Sequence, residues 1–339
     1  MRYAAGIDVG GTMIKAGLFE IEEDRCRVRL RSSFSVPTRV EDAGRHILPD
    51  AAEALERHLA ERGIRMEEVE AAGIDVPGAV IWKDGEDIVN RCVNLGWPVT
   101  NAPAEFRRLT GIRRVRALND ANAAAIGELY FGSGADQGAR SAVTVTIGTG
   151  IGAGIIQNGQ VLTGANGAAG EIGHMKIAPF DFFDEKSGIR RPSSIARTDD
   201  LERYVSASGI GRVGTAMLEE SEEPSVLREK IRDGQTMTAK DIFDAAAAGD
   251  REACRITEFF FRTLGTGLAG VAAVFDPDLF IIGGGVSAAG EFLRRGLRKA
   301  YADAAFHAQR DTEFRIAKLG NDAGIYGAAW FAAGEEVSE

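Results

Sequence analysis

Three short glycine-rich turns each follow an apolar run: Gly10-Gly11-Thr12 just after Asp8, Gly148-Thr149-Gly150, and Gly283-Gly284-Gly285-Val286. Without Cβ atoms in the way, backbone N–H groups in such turns come close to anionic oxygens. Thr12 adds a hydroxyl donor, and Asp8 a hard carboxylate of the kind that orients Mg²⁺ or its waters. The third turn lies between a strand and a helix, a junction that can lay a nucleotide base or ribose against backbone. Read singly, each turn serves equally well as a plain hairpin or a close helix–strand crossing. The first two stand in matching places of the chain, as jaws on one triphosphate would. No G-x-x-x-x-G-K-[ST] is present, so a P-loop nucleotide site is not supported.

A second group of residues suits a neutral polyol. Asn119-Asp120 sits between a strand and a helix, where either residue could simply be an N-cap. The positive end of that helix would also keep Asp120 ionised and able to take a proton from a hydroxyl. Glu171 and His174 lie three apart in Gly170-Glu171-Ile172-Gly173-His174, close after the second glycine turn. Carboxylates accept charge-assisted hydrogen bonds from hydroxyls and histidine donates another. Glu202, in Leu201-Glu202-Arg203-Tyr204, reads by itself as an ordinary surface helix residue.

Positioning these groups requires alternating strands and helices, hence an α/β architecture. Residues 3–9 and 13–19 form a hairpin around the first turn, and 28–36 a third strand. A helix over 50–62 ends at Gly63, strands follow at 71–76 and 115–118, and a helix runs through 123–131. The pattern then starts again with strands at 141–147 and 152–156 around the second turn. Gly-Thr is followed five residues later by Gly and two apolar residues in both places, Gly17-Leu18-Phe19 and Gly154-Ile155-Ile156. This repeat predicts two related halves with a cleft between them. Further on, the spacing predicts a long apolar helix over 254–274, a strand at 279–282, a helix around 291–299, and a last helix beginning near Gly324 that packs back on the first half. Residues 178–200 read as a long loop over the cleft.

Composition narrows the function classes. A chain of 339 residues exceeds one ordinary core. Its net charge of −10 and lack of a basic block exclude a nucleic-acid surface, and Arg113, Arg114 and Arg116 read as a solvated turn before a strand. No run of 18 uncharged apolar residues offers a membrane span, and the N-terminus does not resemble a signal peptide. Cys26, Cys92 and Cys254 are odd in number and far apart, so they make neither a disulfide framework nor a CxxC clip; a reducing cytoplasm is expected.

Taken in order, several segments resemble the ROK family of sugar kinases and repressors within the actin-like (ribonuclease H-like) ATPase fold. They are GIDVGGTMIKAGLF (6–19), DVPGAV (75–80), NLGW (94–97), LNDANAAAIGE (118–128), TIGTGIGAGII (146–156), GAAGEIGH (167–174), LERYVSASG (201–209), DPDLFIIGGGVS (276–287) and YGAA (326–329). The resemblance covers nearly the whole chain. It implies an N-terminal actin-like domain over 1–118, completed by the C-terminal helix at about 324–339, and a C-terminal one over 119–323. Asp120 would be the catalytic base, with Asn119 beside it on a sugar hydroxyl. Glu171, His174 and Glu202 would hold the other hydroxyls, and Gly78 and Asn94 would line the same pocket. ATP would be held by Asp8, Gly10, Gly11, Thr12, Lys15, Gly148, Thr149, Gly150, Gly283, Gly284, Gly285 and Val286, with Mg²⁺ near Asp8 through water. A homodimer is the expected assembly.

Two departures from the family pattern matter. Many members carry a CxCGxxGC segment after the histidine and bind structural zinc with it, but this chain has no cysteine between Cys92 and Cys254, so no zinc site is expected. Family repressors carry an N-terminal DNA-binding extension, whereas here the first phosphate motif begins at Gly6. The expected activity is ATP-dependent phosphorylation of a hexose, glucose to glucose 6-phosphate, an entry to glycolysis. Fructose, N-acetylglucosamine or N-acetylmannosamine as acceptor, and a non-catalytic sugar sensor, are the alternatives.

Overall fold

The computed structural model of the chain describes residues 2–22, 28–177, 200–232 and 235–334. In chain order, the first part supplies β1 (Tyr3–Val9), β2 (Met13–Ile21), β3 (Val28–Pro37), α1 (Ile47–Ala60), β4 (Val69–Val76), β5 (Val80–Lys83), β6 (Glu86–Val89), α2 (Ala102–Thr110), β7 (Arg114–Asn119) and α3 (Asp120–Tyr130). There follow β8 (Ala142–Ile147), β9 (Ile151–Gln157), β10 (Gln160–Val161), α4 (Leu201–Val205), α5 (Ala207–Glu219), α6 (Leu227–Arg232) and α7 (Ala239–Ala247). The chain ends with α8 (Arg251–Phe275), β11 (Leu279–Gly283), α9 (Gly290–Ala304), β12 (Glu313–Ile316) and α10 (Ala323–Ala333). The expected α/β class is what the chain forms.

Two compact units emerge. One gathers Met1–Arg140, Gly154–Gly170 and Lys318–Glu339, the other Ser141–Ala153 and Glu171–Ala317. The first therefore keeps α3, which the sequence division at 118/119 gave to the second half, and also takes α10. Residues 178–199, expected to form a loop, lie outside the described residues.

One five-stranded sheet has the order β3-β2-β1-β4-β7 and another β10-β9-β8-β11-β12. Each places its first three strands in reverse and then adds two more, so the weak sequence repeat corresponds to a repeated topology. In the first sheet β1 and β2 are antiparallel, as are β2 and β3, whereas β4 runs parallel to both β1 and β7.

Strand alternation divides the first unit's core. Ala5, Ile7 and Val9 of β1 join Ile74 and Val76 of β4 under Leu55 of α1 and Phe106 of α2. Ala4, Phe19 and Ala71 point to the other face, against Ile325 and Ala329 of α10. That helix can lie this low only because glycines stand beneath it. A Cβ on Gly6 would come 2.0 Å from the Ile325 carbonyl oxygen, one on Gly73 1.9 Å from that of Ala328. Likewise α10 and α3 meet at backbone distance: Cβ atoms on Gly127 and Gly327 would fall 2.2 and 1.9 Å from the carbonyl oxygens of Ala323 and Ala123. This contact is why α3 groups with the first unit.

Of the arginine group only Arg113 is an exposed residue of the turn before β7. Arg114 and Arg116 belong to β7, where Arg116 pairs with Asp87 at 2.7 Å and its guanidinium stacks 4.8 Å from the Trp82 ring centroid and 4.5 Å from that of Phe331. Arg114 donates to the Gly334 carbonyl. Cross-chain pairing of this kind leaves no signature in local sequence.

In the second unit α8 is the central helix, N-capped by Asp250 through the Ala253 amide and stopped by Asp276 in the left-handed region. Among the described residues it alone has the length and composition to cross a membrane, although it contains no uncharged run of that length. Its Ile256, Phe260, Leu264 and Leu268 are buried in the protein core instead. Aromatic edges knit it to α7 and α9: Phe243 and Phe260 stand 5.3 Å apart, Phe261 and Phe292 5.8 Å.

Candidate active site

In the first unit the expected residues collect at the carboxyl-terminal ends of the parallel strands β1, β4 and β7, where open α/β sheets hold ligands. Sheet register sets them side by side. Asp8 is paired with Asp75 across β1 and β4, and Val76 with Asn119 across β4 and β7. Asp120 opens α3 directly after Asn119.

Asn119 does cap α3, as its bland reading anticipated. Its Oδ1 accepts from the amides of Ala121 at 2.9 Å and Asn122 at 3.2 Å, while its Nδ2 donates to the Gly78 carbonyl at 3.2 Å. One side chain thus serves the helix and ties down the Gly78 loop. Asp120 accepts from the Ala121 amide at 2.8 Å. The positive helix end favours its ionised form. Asn94 lies in the short 3-10 turn Val93–Leu95, its carbonyl oxygen 3.8 Å from where a Cβ on Gly11 would sit.

Asp75 was not singled out from sequence, although a signal exists. The hexapeptide AAGIDV occurs at 4–9 and again at 71–76, and the two copies pair in register. Asp75 is fully buried, and neither carboxylate oxygen has a partner among ordinary donors. Burial, then the charges of Asp8 and Asp120, push it well above the usual carboxylate range. Protonated, it donates to Asp8. Burial also raises Asp8, against the lowering effects of the Asp75 hydrogen bond and the Lys15 charge. Lys15, expected on the ATP side, turns its ammonium to Asp322 and to the Asn321 carbonyl at 3.1 Å.

The second unit holds the remaining residues. Gly148 donates its N–H to the Gly150 carbonyl at 3.0 Å, closing the turn after β8. The turn after β11 lies directly beside it. Gly284 has φ +79°, and a Cβ there would come 2.4 Å from the Ile147 carbonyl oxygen, so only glycine fits. Glu202, in the first turn of α4, accepts from the Ile151 amide at 3.4 Å, and its Oε2 stands 3.2 Å from a Cβ built on Gly173. Gly173 belongs to the 3-10 turn Ile172–His174, which brings Glu171 Oε2 within 4.0 Å of His174 Nε2, both side chains largely open to solvent. Glu202, the glycine turn, Glu171 and His174 are therefore neighbours.

Mg²⁺ fits this chain as a metal delivered with a nucleotide. It usually takes one or two carboxylates, with phosphate oxygens and water completing the shell. Half-buried Asp8, with the Asp75 carboxyl beside it across β1 and β4, supplies that donor type. Among the described residues no three His, Cys, Asp or Glu side chains gather into a metal cage of their own.

The chain is similar to known proteins along nearly its whole length. The family model described as ROK family matches residues 4–335. A glucokinase of Halalkalibacterium halodurans is 34% identical over 341 residues, covering 99% of this chain and 97% of that protein. A glucokinase of Thermotoga maritima is 32% identical, covering 96% and 95%. Among solved structures, a ROK family glucokinase from Streptomyces griseus in complex with glucose and AMPPNP is 31% identical, with a TM-score of 0.70 over 97% of this chain and 99% of that one.

Proposed function

The chain belongs to the ROK family, and from that membership we propose that it is an ATP-dependent hexose kinase that converts glucose to glucose 6-phosphate. The observation that carries the reading is Asp120, set at the positive end of α3 with Asn119, Gly78 and Asp8 on the same strand edge. Asp120 takes the proton of the sugar hydroxyl. The hydroxyl oxygen then bonds to the γ-phosphorus as the bond to the ADP oxygen breaks, and ADP leaves with the electron pair. Mg²⁺, when bound with ATP near Asp8, neutralises charge on the phosphate oxygens. Asn119, Glu171, His174 and Glu202 hold the other hydroxyls, with Gly78 and Asn94 along the pocket wall. Gly10 to Thr12 and Gly148 to Gly150 hold phosphates, and Gly283 to Val286 the adenosine side. Lys15 contributes to the ATP side through its field on Asp8.

The same reading includes a cytoplasmic site of action, a homodimer and no structural zinc, the last because the cysteines for it are lacking. The test is ADP release with glucose, fructose, N-acetylglucosamine and N-acetylmannosamine, each at several concentrations. Glucose should give the highest kcat/KM. Release independent of any sugar would mean an ATPase, and binding without release a sensor.

A further inference from the structure

The two phosphate turns share a feature that lies outside their glycines. The Gly10 carbonyl accepts from the Thr38 hydroxyl at 2.7 Å, and the Thr12 carbonyl from the Thr38 amide at 2.9 Å. In the other unit the Gly148 carbonyl accepts from the Ala207 amide at 2.8 Å, and the Thr149 carbonyl from the Ser208 hydroxyl at 2.9 Å. Ser206 extends that anchor. Its hydroxyl takes the Gly209 amide at 3.0 Å and lies 3.2 Å from the Ser208 hydroxyl, so that Ser206 donates to Ser208 and Ser208 to Thr149.

Among the described residues all peptide bonds are trans. In a trans peptide the C=O and the following N–H point in opposite directions. Holding back the carbonyls of Gly10, Gly148 and Thr149 therefore turns the N–H groups of Gly11, Thr149 and Gly150 the other way. Among the described residues none of these three amides meets an acceptor, and Gly11 and Thr149 are exposed. Aligned, unoccupied backbone N–H groups make an anion cradle.

We propose that Thr38 and Ser208 are positioning residues for the Mg-ATP phosphates, each using its hydroxyl to hold a glycine turn so that its free amides aim at phosphate oxygens. The proposal rests on the kinase reading and assigns the two units one device used twice. Neither side chain touches the nucleotide.

The test separates donor from acceptor. Thr38→Val and Ser208→Ala should each raise the Mg-ATP KM about three- to tenfold, the range a lost neutral hydrogen bond commands. The glucose KM should stay within about twofold, and Thr38→Ser and Ser208→Thr should restore the Mg-ATP KM. Mg-ATP KM values within about twofold of wild type in both variants, or a parallel rise in both KM values, overturn the assignment. Ser208→Ala carries the test alone if Thr38→Val does not fold. Calorimetric binding of Mg-ADP needs no phosphoryl transfer. Were the wild type to bind Mg-ADP yet release none with any sugar, the kinase reading would fall, while weaker Mg-ADP binding by the variants would still uphold the anchors.

Discussion

Asp120 and Asp75 lie one strand apart, yet their surroundings ask opposite things of them. Asp120 stands at a helix N-terminus with a backbone amide on its carboxylate, so its charge is supported. Asp120→Asn should lower kcat by about 10² to 10⁴, the range of a lost general base, while glucose still binds; steady-state rates beside calorimetric glucose titration check this. Turnover near wild type would remove Asp120 from its role. Asp75 has no such support. An acid whose folded pKa is raised contributes most below the ordinary carboxylate pKa, and that contribution is lost as pH rises toward the folded value. Asp75→Asn should therefore gain thermal stability over wild type progressively as pH rises from about 4, in buffer free of divalent cations. Parallel melting curves across that range would show that Asp75 is not held protonated. Asp120 was legible because a polar pair between an apolar strand and a helix is a local pattern. For Asp75 the repeated AAGIDV hinted at its pairing with Asp8, but its burial left no local trace, because that depends on α10.

Secondary structure was readable in several long or strongly patterned segments, though not in the 13-residue α5, whose run carries three glycines. The hairpin β1–β2, strand β4, and helices α3, α8 and α10 fall where periodicity and glycine stops put them, within a few residues at their ends. The hairpin β5–β6 was overlooked despite its Asp84-Gly85 turn, a strong hairpin signal, with both residues at positive φ. Four-residue β12 is too short to show a period. That α10 packs back on the first half was expected, but how closely it sits could not be read from α10 itself, since its seat is made by Gly6, Gly73 and Gly127 on other elements. Gly73→Ala and Gly327→Ala should each cost about 2–4 kcal/mol in chemical denaturation, because the clash is with backbone and cannot be relieved by a rotamer change. Gly285→Ala, whose Cβ would meet nothing within 4 Å, should leave stability within about 0.5 kcal/mol. Equal losses at all three positions would argue against the close seating of α10.

Across the whole molecule, two sheets of one topology carry two glycine turns, each turn pinned by a hydroxyl from elsewhere in its own unit. Residue order by itself determined the α/β class, the paired halves, the glycine turns and the polar residues suited to a sugar. Those features are written within a few neighbouring residues, as hydrophobic period, missing Cβ atoms or capping chemistry. Tertiary structure alone decided that Asp75 lies buried against Asp8, that Arg116 stacks between Trp82 and Phe331, that α3 and α10 touch through glycines, and that Thr38 and Ser208 hold the turns. Each of these joins residues far apart in the chain, and a partner brought in by sheet register or helix packing leaves no mark on the local sequence it meets.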